Sequence, residues 1–436
     1  MNISGNYTLT DVTIIDGTGR EPRTKMAVTV EEGIFKRIIP LAQYSSNLSG
    51  KPVINMDGRY LMPGMIDAHL HLAGIRANAE EQELGGILEH AYVRAMRSVS
   101  EAQSLLKWGF TSLRDISWNG LYLKRLFSEG TLIGPRIVAC GPALCRTGGH
   151  ADLYQLPLDF VKKHHYWSLI CDGPDEVRKA VRRLLREGAD QIKVLASGGD
   201  NYETDRNCDL HYSLEELKMA ISEAKMIGGT MVCIHCENLE SARLAVEAGA
   251  DTIEHGEVLD EELAEMMAQK GIILVPTMEL LVNWHETFKP VASEKTRAPI
   301  FLQRTTPLPG DIAETSRRKV IANFQMAKAK GVKIALGSDA VFEPVTPYGL
   351  YSAKELNVLN KCGMNENEAL TAATKTAAEA LGLSHKIGTI EEGKYADYLL
   401  LDQNPLDNLE IFLDNKNIKA VVLEGTTVAM SGILFS

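Results

Sequence analysis

The chain has 436 residues, of which 45% are hydrophobic and 24% charged, and a formal net charge of −11. This balance is ordinary for a soluble globular enzyme, and the length accommodates an α/β barrel, which takes roughly 250 residues as one unit. An acidic chain without a basic stripe excludes broad nucleic-acid binding and attraction to anionic membranes.

Residues 1–60 predict short strands punctuated by turns: YTLTDVTIIDGTG, MAVTVEEGIFKRIIP and KPVINMDG. The opening MNISGNYTLTDVTIIDG has no basic n-region and no apolar h-region, and no run reaches the roughly 18 apolar residues of a membrane span. Seven cysteines, odd in number and scattered, read as reduced thiols. The expectation is therefore a cytoplasmic protein. Cys233 and Cys236 form a C-x-x-C frame around His235, but strand alternation separates the two thiols, so no redox motif is expected.

From Leu61 the chain changes character. LMPGMIDAHLHL, residues 61–72, reads as a buried strand carrying His69 and His71. Residues two apart on a strand share a face. Two imidazoles on one buried face need partners, and a metal ion is a suitable one. Seven more candidate strands follow: GFTSLRD, RIVACG, QIKVLASG, TMVCIHC, DTIEHG, GIILVPT and VKIALGSD. Helical stretches lie between most of them. From Glu83 to Leu106 the apolar residues, among them Leu84, Leu88, Ala95, Ala102 and Leu105, keep the spacing of a one-sided helix. Ser213 with Glu216, and Asn365 with Glu368, predict capping boxes, the second opening a helix through Leu381.

Eight βα units predict a closed (β/α)8 barrel of TIM type over 61–385. The strand-and-turn texture returns in GTIEEGKYADYLLLD and IKAVVLEGTTVAMSG, so 1–60 and 386–436 are expected to meet in one small β-sandwich domain. An open doubly wound sheet is the competing architecture, but no G-x-G-x-x-G follows the first barrel strand. Residues 142–171 and 278–314, after the third and seventh strands, exceed the usual connection length and predict lids or binding loops.

Active sites of such barrels lie at the C-terminal ends of the strands. There the first strand brings His69 and His71, the fourth Lys193, the fifth His235, the sixth His255 and the eighth Asp339. Individually each has a plain structural alternative. Lys193 suits an interior salt bridge, His235 and His255 suit satisfied core histidines, and Asp339 suits a helix cap. Jointly they point to one site. The order and context of these residues, from PGMIDAHLHL through QIKVLASGG, IHCEN, TIEHG and LGSDA to IGTIEEGKYADYLLLDQNPL, resemble the amidohydrolase superfamily, specifically its imidazolonepropionase-like and prolidase-like branch.

The resemblance implies a hydrolase with two divalent ions, most simply zinc. His69, His71 and Asp339 would hold one ion, His235 and His255 the other, and Lys193, as a carbamate formed with carbon dioxide, would bridge them. Neutral imidazoles and carboxylates are proper ligands for such ions, whereas an ammonium between two cations would be driven to lose its proton. The pair would activate a water, Asp339 would accept its proton and deliver it to the leaving amine, and His150, in RTGGHADLY, is the candidate donor to the developing oxyanion. An exposed loop histidine is the plain alternative for His150.

The resemblance implies hydrolysis of a linear amide, in a dipeptide or an N-acyl amino acid. Opening of a cyclic amide is the alternative chemistry, and a non-catalytic barrel scaffold the non-enzymatic one. In one place the chain departs from the pattern: IHCEN puts Glu237 where a histidine or tyrosine often stands. An anion there would repel a substrate carboxylate unless a cation intervenes, for which Arg206 and Arg146 are candidates, or it would receive a cationic substrate group. Alternatively Glu237 faces away and pairs with a surface lysine. The partners expected are a small-molecule substrate and further copies of the chain in a homo-oligomer, with no nucleic acid and no membrane. His285, in LLVNWHETF, is an unranked candidate contact.

Overall fold

The computed structural model describes residues 3–45, 51–76, 89–154, 156–164, 167–199, 205–283 and 310–435. One sheet gathers strands from both ends of the chain: β1 (Tyr7–Ile14), β2 (Arg23–Glu31), β3 (Ile34–Pro40), β4 (Val53–Asn55) and β5 (Tyr60–Pro63), then β16 (Tyr398–Leu401), β17 (Ile418–Leu423), β18 (Thr426–Met430) and β19 (Ile433–Leu434). The two ends join where β5 pairs antiparallel with β16, Leu61 opposite Leu400 and Met62 opposite Leu399. Leu9, Val28, Phe35, Leu61, Tyr398 and Val422 share its apolar core. Two hairpins turn on Glu32–Gly33 and Glu424–Gly425, all four residues at positive φ. Two such residues in succession match the right-handed twist of the flanking strands, and glycine takes the second position without a Cβ penalty.

Between these ends the strands are parallel. They are β6 (Met65–Leu70), β7 (Phe110–Asp115), β8 (Arg136–Ala139), β9 (Ala143–Cys145), β10 (Ser168–Ile170), β11 (Gln191–Leu195), β12 (Met231–Cys236), β13 (Thr252–His255), β14 (Ile273–Val275) and β15 (Lys333–Ile334). Among the described residues they form a sheet β6-β7-β8 and a sheet β10-β9-β11-β12-β13-β14-β15. Backbone hydrogen bonds join the two at both margins. Ala68 N and His71 N donate to Leu336 O and Ala340 O at 2.9 Å, and Asp190 N donates to Ala139 O at 2.7 Å. Every residue of β6, β7 and β11 is buried, as a parallel sheet covered on both faces requires.

Helices return the chain between strands, and their signals are local. Gly173–Glu187 starts with Pro174 in its first turn, buries Val177, Ala180, Val181 and Leu184, and ends at left-handed Gly188. Both expected capping boxes form, on Ser213 and on Asn365. The helix expected from Glu83 starts later, at Ala91, where His90 in extended backbone caps it through its side chain, and it runs to Lys107; residues 83–88 lie outside the described ones. The helix expected through Leu381 runs from Glu366 to Ala380 with Leu381 as its C-cap, and a π turn, Ala372–Thr376, lies inside it. The Ala372 carbonyl takes a 3.0 Å hydrogen bond from Leu336 N, a use of a helix carbonyl that accompanies a widened turn.

The segment 142–171, expected as a lid or binding loop, carries regular structure of its own. It holds β9, the helix Leu158–His164 and β10, pieces too short for periodicity to reveal. Of 278–314, residues 278–283 are helical, the next helix starts at Gly310, and His285 lies outside the described residues. No helix among the described residues is long and apolar enough to cross a membrane.

Candidate metal centre

The C-terminal ends of β6, β11, β12 and β13, with the segment after β15, converge on one cluster of side chains. Nitrogen and oxygen atoms of His69, His255 and Asp339 lie within 4.8 Å of one another, and so do those of His235, Glu237 and His255. His71 Nε2 stands 2.9 Å from Asp339 Oδ1, and His69 Nε2 3.5 Å from the same oxygen. The His69 and His255 rings are 5.1 Å apart, those of His235 and His255 4.6 Å. Two of these residues occupy left-handed backbone, His255 at φ 65° and Asp339 at φ 56°. Such conformations in residues other than glycine concentrate where a site demands them.

Three imidazoles are each held through Nδ1. His69 Nδ1 is 2.6 Å from Glu254 Oε2, His71 Nδ1 is 2.7 Å from the Ile116 carbonyl, and His255 Nδ1 is 2.8 Å from Thr277 Oγ1. Nδ1 donation fixes the ring and leaves Nε2 a bare acceptor, the arrangement of a metal-bound histidine. Glu254 is itself held: Arg114 donates to both of its oxygens at 2.6 Å, and both side chains are fully buried. Asp67 accepts from Ser338 Oγ and Ser352 Oγ at 2.6 Å and from His69 N at 3.1 Å, tying the backbone beside Asp339 to β6.

Charge states follow from this packing. Burial, then the positive charge of Lys193, pushes His69 well below the usual imidazole range; burial, then His150, His255 and Lys193, does the same to His235. Burial lowers His255 to about 4. All three rings are neutral at neutral pH and have lone pairs to offer. Burial alone would raise the Asp339 carboxyl, but His69, His71 and His255 around it hold it far below the carboxylate range.

Lys193 sits on β11 opposite Cys233 of β12, 2% exposed, and its Nζ has no hydrogen-bond partner among the described residues. An unpaired buried ammonium is among the costliest groups a protein can hold. The interior salt bridge considered for Lys193 is absent among the described residues. Neutral imidazoles, an ionised carboxylate and a buried amine make a donor set that fits divalent ions together with a carboxylated lysine.

The remaining candidates divide. His150 lies beside the cluster, its ring stacked on His235 at 4.5 Å and 22°. Glu237 stays with the ligands, 3.7 Å from His235 Nε2. Arg206 is turned out to solvent, with Nη2 at 2.6 Å from Asp209. Arg146 donates to the carbonyls of Thr147 and Leu210. Neither arginine is brought to the cluster. Residues not anticipated from sequence are Glu254, Arg114, Asp67, Thr277 and Trp167, whose ring meets His71 edge-on at 5.7 Å. The one signal for Glu254 was a carboxylate inside the apolar strand TIEHG.

Residues 60–428 match the sequence model of the amidohydrolase family. The chain belongs to that family, and so to the hydrolases that act on carbon–nitrogen bonds. It is 31% identical to the ochratoxinase of Aspergillus niger over 393 residues, 86% of this chain and 76% of that one. The crystal structure of that enzyme superposes with a TM-score of 0.85 at 28% identity, covering 98% of this chain and 96% of the other. A crystal structure of a Xaa-Pro dipeptidase with bound methionine is similar at TM-score 0.82 and 26% identity, covering 99% of this chain and all of the other. The imidazolonepropionase of Erwinia tasmaniensis is 28% identical over 411 residues, 85% of this chain and 86% of its own length.

Proposed function

We propose that this chain hydrolyses a linear amide bond, in a dipeptide or an N-acyl amino acid, at two divalent ions held by His69, His71, Lys193, His235, His255 and Asp339. The observation that carries the reading is the Lys193 amine, buried among neutral imidazoles and without a hydrogen-bond partner among the described residues. Carboxylation removes that difficulty: the ammonium loses one proton, the freed lone pair bonds the carbon of carbon dioxide, and the nitrogen then gives up a second proton, so that an anion replaces a cation. Zinc suits the donor set. When bound, the ions lower the pKa of a water and polarise a carbonyl.

The chain's own residues do the rest. Asp339, kept ionised by its imidazole neighbours, takes the water's proton and returns it to the leaving amine. His150 faces the developing oxyanion. Its Nδ1 is committed to Asp205 at 2.8 Å, which leaves Nε2 as the nitrogen free to face the substrate. Glu237 is the substrate contact among the ligands, suited to a cationic group.

The frame we propose is a closed (β/α)8 barrel over the segment expected at 61–385, with one small β-domain built from both ends of the chain, 1–60 and 386–436, to which β5 adds residues 61–63. Hydrogen bonds at both margins of the parallel sheets support the first, and the pairing of β5 with β16 supports the second. Scattered cysteines without a disulfide support a cytoplasmic location.

Similarity to imidazolonepropionase favours ring opening as the second reading. Lys193 favours the linear amide, since a carboxylated lysine serves a pair of ions. The test is metal analysis with a substrate panel. About two divalent ions per chain, and release of an amino acid from dipeptides or N-acetyl amino acids, are expected. Activity confined to lactams would establish the second reading, and metal-free protein silent on both would end the proposal.

A further inference from the structure

Asp205 lies outside every motif that carries the family resemblance, yet its carboxylate is 1% exposed and meets His150. Oδ2 accepts from His150 Nδ1 at 2.8 Å. Oδ1 accepts from Gly199 N at 3.2 Å and stands 3.8 Å from His211 Nε2. His211 is buried, and burial lowers it to about 4, so it is a neutral wall and brings no competing charge. The seat is close-fitting: a Cβ added to Gly199 would come within 2.2 Å of His150 Cε1 and 2.9 Å of Glu237 Oε1. On its other face the His150 ring lies flat on His235. The stacking on His235 and the close approach of Gly199 confine the ring, and the hydrogen bond from Nδ1 sets its orientation.

We infer that Asp205 is the positioning residue for His150: by accepting from Nδ1 it fixes the orientation of the ring and so which nitrogen faces the reacting carbonyl. The inference rests on the role given to His150 above. It gives Asp205 no contact with substrate or metal, so removing it should cost turnover through His150 alone. Partners of this kind, holding a histidine by its remote nitrogen, change activity about 10–100-fold when removed.

The test uses full-length, metal-loaded protein and whichever dipeptide or N-acetyl amino acid of the panel the wild type turns over fastest. Asp205→Asn is expected to lower kcat about 10–100-fold, with KM within threefold and metal content and melting midpoint unchanged. His150→Ala is expected to lose about 100-fold or more. The double variant should be no slower than His150→Ala, because a residue acting only through another adds nothing once that other is gone. Asp205→Glu should recover part of the loss. If His150→Ala is slow while Asp205→Asn keeps wild-type kcat, or if the two losses multiply, the assignment of Asp205 is wrong. If His150→Ala is itself fully active, the role of His150 fails first, a distinct result. Should Asp205→Asn not fold, Asp205→Glu, which keeps the carboxylate but shifts it, tests the same seat, with a partial loss of kcat at unchanged KM expected and wild-type kcat overturning the assignment.

Discussion

The two halves of the candidate centre are supported differently. Around His69, His71 and Asp339, each polar group already has a protein partner: Glu254 and Arg114 behind His69, the Ile116 carbonyl behind His71, two imidazoles on Asp339. That half is knit together by hydrogen bonds as it stands. Around Lys193, His235 and His255 it is otherwise, because an amine without a partner among the described residues is buried beside three rings whose basicity it helps to suppress. The first half alone would pass for a well-satisfied polar core. The second makes physical sense only with something bound, so the case for ions rests on it.

The sharpest way to break this contrast is Lys193→Met. If the amine is an unpaired liability that only carboxylation and metal relieve, the apolar replacement should leave the metal-free protein as stable as wild type, or more so. Turnover should fall by at least about 10²–10³, and the ions should be lost or halved. Calorimetry with a chelator and elemental analysis without one would decide. A destabilisation of about 3–5 kcal/mol in the metal-free variant would mean instead that Lys193 has a structural partner.

Asp339→Asn probes the first half. It removes the anion that faces His69 and His71 and the base that moves the proton, with an expected loss of about 10²–10⁴ in turnover. Thr277→Val probes the support of His255 in the other half. Thr277 Oγ1 is the partner of His255 Nδ1, and removing it should weaken metal affinity about tenfold by competition titration with a chelator. An unchanged affinity would show that His255 is held by packing alone.

Much of this was legible in the sequence, for identifiable reasons. Strand alternation placed His69 and His71 together, and polar residues inside apolar strands picked out Lys193 and His235. Glu254 escaped because alternation puts residues 254 and 255 on opposite faces. The left-handed backbone at His255 breaks the alternation, and both side chains reach the centre. Asp339 was assigned to the end of the eighth strand. It lies beyond the two-residue β15, held by Asp339 N donating to His69 O at 2.7 Å. Arg206 and Arg146 were chosen for charge and loop position, and neither property says where a long exposed side chain will point. Asp205 and Trp167 could not be found, because their contacts join loops remote in sequence.

The smallest expected effect concerns the scaffolding of the first half. Glu101, buried in the helix Ala91–Lys107, accepts from Gly74 N at 3.0 Å and from Arg76 Nη1 at 2.9 Å, and so holds the segment that follows His71. Burial pushes its carboxyl from 4.5 up to about 7, against the pull of those two donors. A carboxyl raised on folding contributes stability that is complete below its unfolded value, near 4.5, and is lost as the pH rises through about 7. Glu101→Gln removes that titration. The variant should therefore gain on the wild type, by a few degrees in melting midpoint, as the pH is taken from 5 to 8. A difference in midpoint that stays flat across this range would place the Glu101 pKa near its ordinary value. The ion pair with Arg76 would then outweigh burial.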